Sequence, residues 1–545
     1  MKLYKICCLL LLISNTYSSL QAQGELETGE VEVIKDFDAR LTDTEKISVS
    51  PTLPNPNTVA RTQNYNIPPR TMPVEYLPPV IRPVGMRGDK LPTAYNGFLK
   101  AGVGVPTSTY GELSYHTFYE KQLDLGLQLK HHAANFKNLE NQRFMENSGA
   151  VTGTYYLDQG YAIGGNLGYT NDQVHYYGYD HETVDFTRDQ VKQRFNTLDL
   201  GVNFFNGERT QGDINYRAAI NFYNTKDNYA AKENHLDAGF GATKWFGEKH
   251  SLDVDIRTDL TTYKDSVKQK LNNFYVNPAF TFHNENVRVK VGANLASVNE
   301  EFSFFPDVEA SANIVGNKFT AFAGAEGNLE KNTLRSLSDY NPFIQTFGSL
   351  EIRNTDYNHF YGGLRGTVAG FNYKGQVGYK KANNLALFLN ENSSAVDSLS
   401  YTNFRVLYDT VSIFNIQGSI GATILKDLDI SGTISVNNYD LKNQEKAWHL
   451  PALEANFTGI YRMMEDKFRV KGELFVANGV PYRNSDGTVE NLNTLLDLSV
   501  GGEYILTENL GAFVEFNNLL NNKRQRWLNY PTYGINILAG VTAKF

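Results

Sequence analysis

The side chains best suited to chemistry in this chain are two adjacent histidines, His131 and His132, and three closely spaced aspartates, Asp253, Asp255 and Asp259, with Arg257 among them. Histidine pairs and carboxylate clusters are what a metal ion or an acid–base pair would require. Neither group is arranged for that use. Neighbouring residues on a strand point to opposite faces, so the rings of His131 and His132 cannot share a metal. The aspartates do share a face, but Arg257 shares it with them, and a calcium site usually takes its oxygens from a loop. Solvated wall lining accounts for them better. No Ser, His and acid set stands out, and both cysteines, Cys7 and Cys8, fall at the start of the chain, where they leave with a leader. The mature chain then has no thiol for a disulfide, a thiolate metal site or a nucleophile. The sequence therefore predicts no enzyme, no metal and no cofactor.

The elements that carry these residues begin with an export signal. Lys2 and Lys5 precede an apolar run at residues 6–13, and Leu20-Gln21-Ala22 closes a polar stretch with a cleavage-like pattern. This predicts a secretory leader over residues 1–22. The run is too short for a membrane helix, which needs about 20 apolar residues. Ten of the seventeen prolines lie between Pro51 and Pro92. Such a stretch favours extended conformation and builds no core, so residues 23–94 read as an extended periplasmic arm. The net charge of −8 becomes −10 once Lys2 and Lys5 are removed, with no basic patch, which argues against nucleic-acid binding.

From residue 95 onward, period-two alternation takes over. Leu252, Val254, Ile256 and Leu260 form one face of a strand, and Asp253, Asp255, Arg257 and Asp259 the other. Val287, Val289, Val291 and Leu295 likewise oppose Arg288, Lys290 and Asn294, and the segments 428–437 and 496–504 repeat the pattern. A soluble sandwich also alternates, but its strands usually last about 5 to 6 residues. These runs last about 9 to 13, the length a tilted strand needs to cross a membrane. The chain has 33 Tyr and 33 Phe, and aromatics gather near strand ends at Tyr155-Tyr156, Tyr161, Tyr169 and Tyr176-Tyr177, as interfacial girdles do. An all-β transmembrane antiparallel barrel over residues 95–545 follows, with Asp253, Asp255, Arg257, Asp259, Arg288 and Lys290 facing the lumen.

Short polar turns supply a strand count. They recur at residues 120–122, 158–160, 206–208, 247–249, 284–286, 316–317, 370–372, 426–427, 465–466 and 507–509. Ten turns on one side require eleven hairpins, hence about 22 strands, with both ends on the short-turn side. In bacterial barrels that side is periplasmic and the longer loops face outside.

The final strand ends in Phe545, and an aromatic last residue on an alternating strand resembles the signal by which outer-membrane proteins are recognised for barrel assembly. Upstream, Phe516-Asn517-Asn518-Leu519-Leu520-Asn521-Asn522-Lys523 leads through Trp527 to Pro531-Thr532-Tyr533-Gly534. This order resembles the C-terminal end of TonB-dependent receptors, particularly those of Bacteroidetes. The resemblance covers the last thirty or so residues closely and the rest through strand count. It implies an outer-membrane location in a Gram-negative bacterium, lipid and the barrel assembly machinery as partners, and transport across that membrane. Those receptors carry a globular plug, whereas only the proline-rich arm precedes this barrel. Glu30-Val31-Glu32-Val33-Ile34 resembles a TonB box, against the plainer reading of a solvated periplasmic tail.

A barrel of this size without a plug encloses a lumen wide enough to leak. The arm, loops at residues 356–361 and 383–402, or a separate partner are the expected fillers. Two functions remain. One is a transporter whose outer loops, with Tyr176, Tyr177 and Tyr179, contact a ligand and draw on TonB or diffusion. The other is a non-transporting platform, or subunit of an envelope assembly or secretion complex, holding a surface lipoprotein or other envelope proteins.

Overall fold

The computed structural model describes residues 95–545 apart from 137–138, 248, 299–300, 347, 349, 391–402 and 425–426. The leader at 1–22, the arm at 23–94 and the TonB-box-like string at 30–34 lie outside the described residues.

One antiparallel sheet of 22 strands closes on itself. Each strand pairs with its neighbour in the chain, from Gly97–Val105 and Ser108–Tyr119 round to Leu510–Asn517 and Asn536–Lys544. The first strand then pairs with the last, Phe98 opposite Lys544 through to Val105 opposite Ile537. The ten turns expected from the sequence fall at the junctions of consecutive barrel strands, with Asn206 and residues 371–372 counted within the strands Lys192–Asn206 and Phe371–Asn390. The order is a plain meander because antiparallel neighbours need only a tight connection. Closure follows from the solvent, since an open sheet edge in lipid would leave a row of unpaired amides.

The two faces of each strand diverge as the alternation requires. Ile256 and Leu260 are exposed on the outside, whereas Asp255 and Arg257 between and beside them bind Arg217 and Asp237 across the inner wall. Leu198, Leu200 and Val202, then Ile416 and Ile420, continue the exposed apolar belt on other strands. An exposed side that is apolar and a sheltered side that is polar is the inverse of a soluble fold and the build of a membrane barrel. Tyr155, Tyr156 and Tyr169 are exposed at its margins, but Tyr176 and Tyr177 are buried and belong to no girdle.

Some strands exceed the expected 9 to 13 residues. Phe371–Asn390 has 20 residues and Phe404–Ile424 has 21, about twice what the hydrocarbon requires. Alternation of apolar and polar residues marks only the part in lipid, so their continuation beyond it is not visible in the pattern. For the same reason residues 356–361, expected as a loop, are part of the strand Arg353–Val368. Residues 383–390 belong to Phe371–Asn390, and 391–402 lie outside the described residues.

The seam is a tight point. Gly102 faces Gly540 across it, and a Cβ on Gly540 would lie 1.9 Å from the Ala101 carbonyl oxygen and 2.6 Å from the Gly102 Cα. Gly540→Val is expected to lower barrel stability by about 3 kcal/mol, the upper range for overpacking. Gly375→Ala, with nothing within 4 Å of the new methyl, should leave it unchanged. Urea unfolding in detergent, followed by band shift on unheated gels, distinguishes the two. Equal stability of both variants would show that the seam tolerates side chains.

Candidate functional site

The strand Phe319–Asn332 and the strand Arg353–Val368 are joined by residues 333–352, which turn inward rather than away. The segment opens with a helix, Leu334–Tyr340, and local chemistry explains it. Thr333 caps the helix by accepting from the Ser336 N–H at 3.3 Å, while the Ser336 hydroxyl accepts from the Thr333 N–H at 2.9 Å. Asn341-Pro342 stops it, because the residue before a proline is held extended. Leu334 and Leu337, three apart, are both buried.

The foot of this helix is pinned to an acidic wall. The Leu334 N–H donates to Glu233 Oε2 at 2.7 Å. Arg335 lies 2.5 Å from Asp199 and 4.7 Å above the Tyr223 ring. Lys331, just before the helix, pairs with Asp259 and donates to Thr261 Oγ1 at 2.7 Å and the Leu271 carbonyl at 3.0 Å.

Beyond the helix the segment crosses the mouth of the barrel. Phe343 and Gln345 exchange backbone hydrogen bonds of 3.0 and 2.9 Å with Phe404 on the far wall. Tyr408 donates to the Glu351 carbonyl at 2.6 Å, and Gln269 donates to the Leu350 carbonyl at 2.8 Å. Phe343 stacks on Tyr530 at 3.8 Å, and Tyr530 meets Tyr177 edge-on at 4.9 Å. Gln142 donates to the Pro531 carbonyl at 2.9 Å, and Phe136 stacks on Tyr533 at 4.0 Å. Trp527 packs against Tyr340, Phe388, Phe404 and His449. Loop residues such as Tyr177, Ala231, Phe343 and Tyr530 thus meet strand-end residues such as Tyr263, Phe388 and Phe404 in one apolar cluster. Beside it Trp448, fully buried with Leu387 and Ala447, is covered by Arg483 at 5.0 Å.

Magnitudes rank these contacts. Truncating a buried Trp or Phe costs about 3–5 kcal/mol, whereas partly exposed pairs such as Arg335–Asp199 contribute at most about 1 kcal/mol. The aromatic cluster therefore holds the cap, and the ion pairs set where the helix lands. Two loop groups show how dry the cap is. Burial raises the Asp227 carboxyl above its ordinary range, although it accepts N–H groups from Tyr229 at 2.9 Å and Ala231 at 2.8 Å and the Thr346 hydroxyl. His449 shares a 2.6 Å hydrogen bond with the Phe388 carbonyl and accepts from the Leu528 N–H at 3.4 Å. Burial, aided by nearby Arg526, pushes it down to about 4.

The residues singled out from sequence fall as follows. Asp253 accepts from Thr243 and Ser251, Asp255 binds Arg217 at 2.5 Å, Arg257 bridges Asp237 and Asp259, and Lys290 lies 2.7 Å from Asp307. Arg288 is engaged as well. His235, Asp237 and Asp259 converge closely enough to suit a metal, but Lys331 and Arg257 already bring positive charge to that point. His131 bonds Asn147 at 2.7 Å and Thr109 at 2.8 Å, while His132 packs edge-on against Tyr110 and Phe144. Tyr176, Tyr177 and Tyr179, expected as loop contacts, are buried at 3, 6 and 5 % exposure within the cap, because their rings fill it. Phe545 exchanges backbone hydrogen bonds of 2.7 and 3.0 Å with Gly97 and stacks on Tyr115. Sequence reasoning missed Arg335, Phe343, Trp448, His449 and Tyr530. The one local clue was the Thr333 cap, Leu334/Leu337 spacing and Pro342 stop, a helix inside an otherwise all-β chain.

No protein-family model and no curated protein matches the chain. Solved structures do. The ferric-catecholate import receptor Fiu of E. coli K12, in its closed form, superposes with a TM-score of 0.63 at 9 % identity over 83 % of this chain and 82 % of that one. The siderophore receptor PirA of Acinetobacter baumannii gives 0.64 at 9 % identity over 84 and 81 %. The ferripyoverdine receptor of Pseudomonas aeruginosa, bound to ferripyoverdine, gives 0.58 at 12 % identity over 84 and 72 %. At such identity the likeness is one of fold: the chain has the barrel of outer-membrane receptors.

The buried histidine fixes a pH response. Its neutral ring contributes fully above pH 6.5, and that contribution is lost as pH falls toward 4, about 3 kcal/mol in all. Hydrogen exchange in residues 443–452 is expected to accelerate over that window and to flatten in His449→Gln. An identical pH dependence in the variant would remove His449 from this role.

Proposed function

We propose that the chain is a self-closed outer-membrane barrel that serves as a platform or subunit of an envelope assembly rather than as an open pore. The carrying observation is the cap: Phe343, Phe404, Trp527, Tyr530 and Tyr177, drawn from opposite parts of the ring, pack into one buried cluster across the long-loop mouth. An entrance sealed by aromatic packing admits no solute by diffusion, and opening it would break several contacts at once. In this reading the packed loops close the outer mouth, and residues 23–94 engage periplasmic partners. A surface lipoprotein or other envelope proteins are the partners of choice, with Phe545 serving recognition by the assembly machinery.

The receptor-like barrel favours a second reading, import of a ligand of the kind its structural neighbours are named for, with the cap as a gate and residues 30–34 engaging TonB. The two readings differ in what moves. A gated importer must open when ligand and energy are supplied, whereas a platform stays shut and keeps its partners.

The test is electrical and biochemical. In planar bilayers the full mature chain is expected to be silent, and Phe343→Ala combined with Trp527→Ala and Tyr530→Ala to produce stepwise conductance. Extraction in mild detergent should bring a reproducible set of envelope proteins with the wild-type chain. A wild-type barrel that conducts at once and elutes alone would sink the platform reading. Silence of the triple variant would place the seal elsewhere.

A further inference from the structure

The outer surface above the apolar belt carries charge in an unusual arrangement. On four consecutive strands, Ile214–Lys226, Lys232–Phe246, His250–Lys264 and Lys268–His283, Lys226 is opposite Lys232, Lys232 opposite Lys264, and Lys264 opposite Lys268. All four are exposed. Period-two geometry puts them on the face that holds exposed Ile220, Leu236, Phe240, Ile256 and Leu260, so they point outward.

The rungs beneath them are graded. Two residues nearer the membrane, Asn224, Asn234, Thr262 and Lys270 stand opposite one another. Two residues further in, the rung is Phe222, Leu236, Leu260 and Asn272, apolar on three of the four strands. The surface therefore runs from apolar through amide and hydroxyl to ammonium. At about 3.4 Å per residue and a tilt near 40°, the lysine rung lies about 10 Å beyond the last apolar rung. The headgroup region extends about 5–8 Å outside the hydrocarbon, within reach of lysine side chains directed back toward it.

Like charges directly opposite one another destabilise a sheet. None of the four lysines forms an ion pair among the described residues. The acids adjacent in the chain point their oxygens elsewhere: Asp227 to Tyr229, Ala231 and Thr346, Glu233 to the Tyr223 hydroxyl and the Leu334 N–H, and Asp265 to the N–H groups of Val267 and Gly348, both at 2.8 Å. Four cations spread over about 14 Å of strand spacing, within side-chain reach of the headgroups and without carboxylates, match several phosphates presented side by side.

We infer that Lys226, Lys232, Lys264 and Lys268 form a binding surface for phosphate-bearing lipid headgroups of the outer leaflet, with Lys270 and the Asn/Thr rung beneath them meeting the polar region of the same lipids. The surface anchors the barrel at a fixed height on this side of its circumference. It depends on the barrel crossing a membrane and is independent of whether the mouth ever opens.

Native mass spectrometry of the full mature chain, released from neutral detergent with equimolar phosphatidylglycerol and phosphatidylcholine, reads the surface directly. The wild type is expected to retain the anionic lipid with a preference of at least about ten-fold, since each surface lysine contributes substantially to anionic-lipid binding. K226Q/K232Q/K264Q/K268Q should lose that preference. K121Q/K249Q/K318Q/K467Q, with the same charge change among exposed lysines at the short-turn end, should keep it. The inference is overturned if the first variant retains lipid like the wild type, if the second loses as much, or if millimolar inorganic phosphate displaces the lipid, which would mark a site for free anions. The folded band on unheated gels confirms that each variant is assembled.

Discussion

Every backbone N–H and C=O that enters lipid has to find a partner within the protein, and this constraint dictates the rest of the molecule. Helices satisfy it locally, but this chain alternates with period two and can satisfy it only between strands. A sheet does so completely only when its edges meet, so the first strand pairs with the last along eight positions, and glycines 102 and 540 face each other where the two backbones come close. Closure by 22 strands then fixes the circumference and with it the width of the interior. The lumen is a consequence of the hydrogen-bonding rule and creates the next difficulty.

That difficulty is a hole, and the way it is closed reflects where the material is available. The connections on the short-turn side are only a few residues long. The long-loop side has strands such as Phe371–Asn390 and Phe404–Ile424 that continue well past the lipid, and Phe388, Phe404 and Val406 on one face of them give the loops an apolar wall to fold against. Once a loop can bury aromatics there, folding inward is favoured over solvation. The ion pairs at Asp199, Glu233 and Asp259 could not hold such a cap alone. They fix which part of the wall receives residues 331–335, because a misplaced helix would strand Glu233, which is fully buried, without the Leu334 N–H.

The barrel was legible in the sequence because its signals are local and repeated. Alternation at Leu252 to Leu260 states the inner and outer faces outright, and ten polar turns state the count. Residues 356–361, expected as a loop, have their backbone paired on both sides. The cap was illegible for a different reason. Its contacts join residues such as Tyr177 with Tyr530, or Phe343 with Phe404, whose proximity exists only after the barrel has closed. Tyrosines in a loop read equally well as ligand contacts or as filling. Only their burial separates the two, and burial is a property of the assembled ring.

Charge placement follows from the same parity. On the strand His250–Lys264, Asp253, Asp255, Arg257 and Asp259 fall on odd positions and turn inward, where Arg217, Asp237 and Lys331 meet them. Lys264 falls on an even position and turns outward, above Ile256 and Leu260, with its like-charged neighbours on either side. A shift of one residue in register would send the carboxylates into lipid and the leucine into the lumen. Register is therefore enforced on every strand by both solvents together. The inward charges settle their energies within the protein. The outward lysines, with no carboxylate beside them, can settle theirs only against what the membrane supplies.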